Sequence, residues 1–127
     1  MLAGSFPEPV VLVVEDEPVV RATIVAEIAD TGWPVLEAGS GERALSILGS
    51  EPRIGVLITD IRLAGRLTGW DVAEAFRKAH PEMPVVYASG KSADESRRVR
   101  GSVFFKKPFR PSILVDVCRQ LIASRRA

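Results

Sequence analysis

The sequence predicts a doubly wound α/β domain built on a five-stranded parallel sheet, and three observations predict it. Short apolar runs rich in valine and isoleucine alternate five times with segments of helical periodicity. The runs are continuous instead of apolar at every second residue, as strands covered on both faces require. No internal repeat or low-complexity stretch interrupts the pattern. Strand–helix–strand units of this kind form a parallel sheet with helices on both sides, because each crossover must pack back onto the sheet.

The first strand is Val10–Val14, an aliphatic run that stops in Glu15-Asp16-Glu17. Pro18 suits the first turn of the next helix, where its missing N–H would have no partner anyway. Val20, Ile24 and Ile28 recur on one face of that helix, and Gly32 ends it. Val35 and Leu36 form a short second strand. Ser40 caps a second helix that carries Ala44, Leu45 and Leu48 and closes at Gly49. The third strand, Ile54–Thr59, ends in another carboxylate, Asp60, followed by a turn-like stretch with Gly65 and Gly69. A third helix presents Val72, Phe76 and Ala79 on one face and stops before Pro81. The fourth strand, residues 85–88, runs into Ser89-Gly90. A short fourth helix around residues 94–99 precedes the fifth strand, 103–105. Pro111 opens the last helix, with Leu114, Val117, Cys118 and Leu121 inward.

One sequence does not reveal the pairing order, but the flavodoxin-like order 2-1-3-4-5 is the usual solution for five such units. The 127 residues suit one domain, expected over residues 9–124 with a flexible lead-in at 1–8 and a short tail at 125–127. Hydrophobic residues at 46% supply a core, and a net charge of +1 gives no field toward nucleic acid or membrane. No run approaches the ~18 consecutive apolar residues of a membrane span, and the N-terminus lacks the pattern of a signal peptide. A cytoplasmic protein is expected. The single cysteine, Cys118, excludes an internal disulfide and reads as a small buried side chain. Trp33 and Trp70 read as packing residues, and His80 as structural or solvent-facing.

In open parallel sheets ligands bind beyond the carboxyl ends of the strands, where the order reverses. Those ends carry Glu15 and Asp16, Asp60, Ser89 and Lys107. With strands one and three adjacent, three carboxylates converge, and mutual repulsion would raise at least one pKa. A hard divalent cation relieves that repulsion, and carboxylate oxygens with water are the ligands Mg²⁺ prefers. A lysine ammonium can pair with Asp60 and then with a phosphoryl oxygen, while the Ser89 hydroxyl donates to another. A carboxylate so placed can act as the nucleophile that forms an acyl phosphate. The bland alternative is that Glu15 and Asp16 only cap the following helix. Of the adjacent Lys106 and Lys107, strand alternation points one to the site and one to solvent, and the following proline favours Lys107.

With these residues in place, the chain resembles the receiver domains of two-component response regulators. The resemblance covers roughly residues 9–122 and rests on Val-Val-Glu-Asp-Glu-Pro (13–18), Ile-Thr-Asp-Ile-Arg-Leu (58–63), Pro-Val-Val-Tyr-Ala-Ser-Gly (84–90) and Phe-Phe-Lys-Lys-Pro-Phe (104–109). It implies that Asp60 accepts a phosphoryl group from a phosphohistidine, on a sensor histidine kinase or a histidine phosphotransfer protein. Mg²⁺ would be held by Asp16, by Glu15 partly through water, by Asp60 and by the backbone carbonyl of Arg62. Ser89 carries over as the switch hydroxyl, Lys107 as the site lysine with a cis bond to Pro108, and Phe104 as the aromatic switch. Such a protein is a signalling switch, not a classical enzyme.

Two departures stand out. Only 18 positions separate Ser89 from Lys107, so the fourth helix must be short, and the loop after Asp60 lacks the usual proline and is one residue longer. Tyr-Ala-Ser-Gly (87–90) is similar to an aromatic-Ala-Thr/Ser-Gly signature of stand-alone alphaproteobacterial receivers, which implies a kinase of HWE or HisKA-2 type. Phosphorylation would draw Ser89 inward, Phe104 would follow, and the face of the short helix, fifth strand and last helix would change its affinity for a downstream protein. Plain core is the alternative reading of Phe104, since without a hydroxyl it can switch only by repacking. Arg62 and Lys91, each two residues beyond Asp60 and Ser89, would shield the acyl phosphate and slow its loss.

Lys91, Arg97, Arg98, Arg100 and Lys106 make the short-helix region basic, a solvated face or a docking surface for an acidic partner. Direct DNA binding is not expected, because no groove-reading helix accompanies the patch. With no output domain after Ala127, action through protein contacts or as a phosphate relay is expected, unless the sequence is an excised receiver. Three rivals fit less well. A flavodoxin-like cofactor binder wants a hydroxyl- and glycine-rich loop after the first strand, where this chain has three acids and a proline. An aspartyl phosphatase wants a second acid where Arg62 stands, and a degenerate receiver would lack part of the acid, Ser89 and Lys107 set.

Overall fold

The computed structural model describes residues 9–51, 53–90 and 95–126. Five strands, β1 (Val10–Val14), β2 (Val35–Ala38), β3 (Ile54–Thr59), β4 (Val85–Ser89) and β5 (Val103–Lys106), form one sheet of order β2-β1-β3-β4-β5. Every pairing is parallel, as the alternating pattern predicts. The helices are α1 (Pro18–Ala29), α2 (Gly41–Ser50), α3 (Gly69–Ala79) and α4 (Pro111–Arg126). Between β4 and β5 the described residues contain only a 3-10 turn, Glu95–Arg97, in keeping with the short fourth helix expected there.

Alternation along the strands splits the core into two layers. Leu12, Val14, Leu57 and Tyr87 face one side, with Ala44 and Ile47 of α2 and Trp70, Val72, Ala73 and Phe76 of α3. Val11, Val13, Val56, Ile58 and Val86 face the other, with Ile24 and Ile28 of α1 and Leu114, Val115, Cys118 and Ile122 of α4. Burial on both faces is why these strands read as unbroken apolar runs.

Helix phase departs from expectation in places. Ala79 is exposed, and Trp70 and Ala73 join Val72 and Phe76 on the buried face of α3. In α4, Val115 and Ile122 are buried while Val117 and Leu121 are only partly covered. Gly49 lies inside α2, which runs one residue past it. In α3 and α4 several apolar residues lie within one turn, and only docking onto the sheet selects which of them turn inward.

Ser40 caps α2 as expected, its side chain accepting from the Arg43 N–H. At α3, Thr68 and Asp71 form a reciprocal capping box, which satisfies two otherwise orphaned N–H groups. Cys118 is buried, and burial pushes its thiol up to about 12. No described helix is long and apolar enough to cross a membrane.

Candidate functional site

The sheet register builds the site. Val14 of β1 aligns with Ala38 of β2 and with Thr59 of β3. Backbone pairing continues one residue further, with Glu15 donating to the Ala38 carbonyl (3.0 Å) and Asp60 to the Val14 carbonyl (2.9 Å). Glu15 and Asp60 therefore leave adjacent strands at the same height. With Asp16 they form a carboxylate cluster whose oxygens lie within 4.8 Å of one another.

Lys107, one residue past β5, reaches across β4 into this cluster. Its Nζ donates to Glu15 Oε1 at 2.5 Å and to Asp60 Oδ2 at 3.0 Å. Lys106 is exposed, so strand alternation selects Lys107, and the Lys107–Pro108 bond is cis as expected. The second Asp60 oxygen, Oδ1, accepts from the Ile61 N–H at 2.6 Å, and Glu15 Oε2 accepts from the Glu17 N–H at 3.2 Å.

Burial raises the Glu15 carboxyl above the ordinary carboxylate range, against the opposing hydrogen bond from Lys107. Burial also pulls the Lys107 ammonium down, but its hydrogen bonds to Glu15 and Asp60 outweigh this and hold it above its usual value. Three carboxylates against one ammonium leave the site net negative. Hard oxygen donors with uncompensated charge fit a small divalent cation and give no foothold to a soft metal.

Ser89 is buried at the end of β4, and its carbonyl accepts from the Lys107 N–H at 2.7 Å. Phe104 is half-buried on β5, opposite Tyr87 of β4, and its ring stacks toward Trp70 at 6.4 Å. Arg62 is exposed. Lys91 lies outside the described residues.

Sequence reasoning passed over three supporting groups. Arg21 of α1 donates to the Glu15 carbonyl (2.8 Å) and to Glu37 Oε1 (3.0 Å), tying the acid-bearing loop to β2. Gly69 opens α3 directly against the Asp60 loop, and a Cβ there would lie 2.0 Å from the Asp60 carbonyl oxygen. The Thr68 capping box fixes the same corner, and its spacing, Thr68-x-x-Asp71, was visible in the sequence.

Comparison with known proteins agrees with this geometry. Residues 11–119 match the family of the response regulator receiver domain. The two-component response regulator ORR5 of Oryza sativa subsp. japonica is 31% identical over 122 residues, spanning 90% of this chain and 89% of that protein. A response regulator receiver protein from Sinorhizobium medicae WSM419 superimposes with a TM-score of 0.89 at 33% identity, covering 95% of this chain and 99% of that one. The receiver domain of NtrX from Brucella abortus follows at 31% identity and TM-score 0.80, covering 89% and 98%. An acidic cluster at the reversal point of a 2-1-3-4-5 sheet, bridged by a lysine and matched over most of its length by such relatives, identifies the chain as a member of the response regulator receiver domain family, the signalling switch of two-component systems.

Proposed function

We propose that the receiver works by accepting a phosphoryl group on Asp60. The observation that carries this reading is the pairing of Lys107 Nζ with both Asp60 and Glu15 beside a third carboxylate, Asp16. Receiver domains bind Mg²⁺ at such an acidic pocket, and here Glu15, Asp16 and Asp60 would hold it with the Arg62 backbone carbonyl. When bound, the ion neutralises charge on the carboxylates and the transferring group. Asp60 supplies the nucleophilic oxygen: a new O–P bond forms as the P–N bond to a donor imidazole breaks and the imidazole takes up a proton. The Ile61 N–H already bonds Asp60 Oδ1, which leaves Oδ2, shared with Lys107, as the oxygen that attacks. Lys107 then moves from that oxygen to the phosphoryl group, and Ser89 donates to a second phosphoryl oxygen.

The donor is a sensor histidine kinase, of HWE or HisKA-2 type by the Tyr-Ala-Ser-Gly signature, or a histidine phosphotransfer protein. Ser89 and Phe104 relay the charge change to a downstream protein from a cytoplasmic receiver unit, whose last helix runs past the expected boundary at residue 124 to Arg126. Incubation with Mg²⁺ and acetyl phosphate, followed by intact mass, tests this. One added phosphate, absent without Mg²⁺ and absent in Asp60→Asn, is expected. Phosphate retained in Asp60→Asn refutes it.

A further inference from the structure

Two residues of the basic patch around the short 3-10 turn, Arg97 and Arg98, are paired within the fold. Arg98 pairs with Glu95 (2.7 Å) and reaches the Ser102 carbonyl. Arg97 extends to α3, where Nη2 and Nε donate to the two oxygens of Glu74 at 2.7 and 3.2 Å, and Nη2 also donates to Asp71 Oδ1 at 2.9 Å. This planar, forked recognition is specific to a guanidinium. Asp71 is not an idle surface acid. Its other oxygen accepts from the Thr68 N–H at 2.8 Å, closing the cap of α3.

The same corner touches the acceptor loop. Gly69 donates to the Ile61 carbonyl at 2.8 Å and lies flat against the Asp60 carbonyl. Two residues past Arg97, the Val99 N–H donates to the Tyr87 hydroxyl at 3.1 Å. The Tyr87 ring packs 4.7 Å from Trp70, in the first turn of α3. The contacts therefore close a ring: α3 first turn to Arg97, Arg97 along the chain to Val99, Val99 to Tyr87, and Tyr87 back to Trp70.

We propose that Arg97 is a positioning residue that clasps the β4–β5 connection onto the first turn of α3, so that the two move as one unit when the Asp60 loop changes state. Among the described residues the connection holds only the 3-10 turn Glu95–Arg97, and the Arg97 contacts fasten that turn to α3. The resting clasp stands on geometry alone, whereas its response to phosphorylation rests on the reading of Asp60 as acceptor.

Amide exchange by NMR tests the clasp in the unphosphorylated protein. Arg97→Gln and Glu74→Gln should each speed exchange at the Val99 N–H about two- to fivefold, the range an exposed ion-pair network supports. The double variant should exchange no faster than Arg97→Gln alone, since that change already removes the Glu74 contact together with the one to Asp71. Unchanged Val99 exchange in Arg97→Gln overturns the proposal. After Mg²⁺ and acetyl phosphate, with Asp60 occupancy followed by intact mass, the Trp70 indole N–H and the Val99 N–H should shift together in the native protein. In Arg97→Gln at equal occupancy the Trp70 shift should shrink, and a Trp70 shift of full size refutes the coupling. If no phosphate is added to the native protein, the acceptor reading fails, while resting Val99 exchange still decides the clasp.

Discussion

Replacing Gly69 by alanine tests how tightly α3 is seated on the acceptor loop. An added Cβ would lie 2.0 Å from the Asp60 carbonyl oxygen and 2.8 Å from the Asp60 carbonyl carbon and the Ile61 Cα. A relaxed carbon–oxygen contact is about 3.3 Å or longer, so the first turn of α3 must retreat by roughly 1.3 Å or more from the 2.0 Å approach. All three obstacles are backbone, and no rotamer change relieves them. Retreat breaks the 2.8 Å hydrogen bond from Gly69 to the Ile61 carbonyl. Overpacking costs ~1–3 kcal/mol, the lost bond ~0.5–1.5 kcal/mol, and the helix preference of alanine returns up to ~1 kcal/mol.

The net loss is about 2 kcal/mol, or roughly 6–12 °C in Tm for a domain of this size, read by thermal denaturation followed by circular dichroism. Gly49→Ala is the control. That glycine lies inside α2 with nothing within 4 Å of its added Cβ, so the change should stabilise by ~0.5–1 kcal/mol. A Gly69→Ala protein as stable as the native one, or two variants that fall equally, would refute the steric reasoning.

Three further outcomes are expected. Arg62→Ala and Lys91→Ala should each hasten phosphate loss from Asp60, followed by intact mass after the phosphodonor is removed, and unchanged rates would dismiss both as shields. Cys118, buried with its thiol pushed up to about 12, should ignore a disulfide reagent in the native protein and react fully in denaturant, whereas native-state titration of one thiol would contradict its packing. The Thr68 backbone N–H and Arg97 hold the Asp71 carboxyl below its usual 3.8. Its stabilisation is therefore complete above that value and lost as pH falls through the folded pKa. The gap in urea midpoint between native protein and Asp71→Asn should close on acidification, and a widening gap would reverse the sign.

The alternation of continuous apolar runs with helical segments was legible because strands buried on both faces leave no room for polar residues. That pattern announces itself in Val10–Val14 and Ile54–Thr59 without any knowledge of partners. The polar residues that stop these runs, Glu15, Asp16, Asp60, Ser89 and Lys107, stood out for the same reason. Helix phase was less legible. In α4, Leu114, Val115, Val117, Cys118, Leu121 and Ile122 offer more apolar side chains than one face can bury. Arg21, Arg97 and Gly69 were illegible as site supports, since an arginine or glycine in a sequence does not reveal which distant carbonyl or carboxylate it will meet.

By itself, then, the chain determined its class, its element order and the chemical types at each strand end, because these follow from local periodicity and from where burial stops. Only the tertiary structure decided that β1 lies beside β3, that the ladder brings Glu15 level with Asp60, and that Lys107 crosses β4 to join them. It also decided that the β4–β5 connection is fastened through Arg97. Each of these joins residues far apart in the chain, and their meeting depends on strand order and register, which packing of the whole sheet selects and no local stretch encodes.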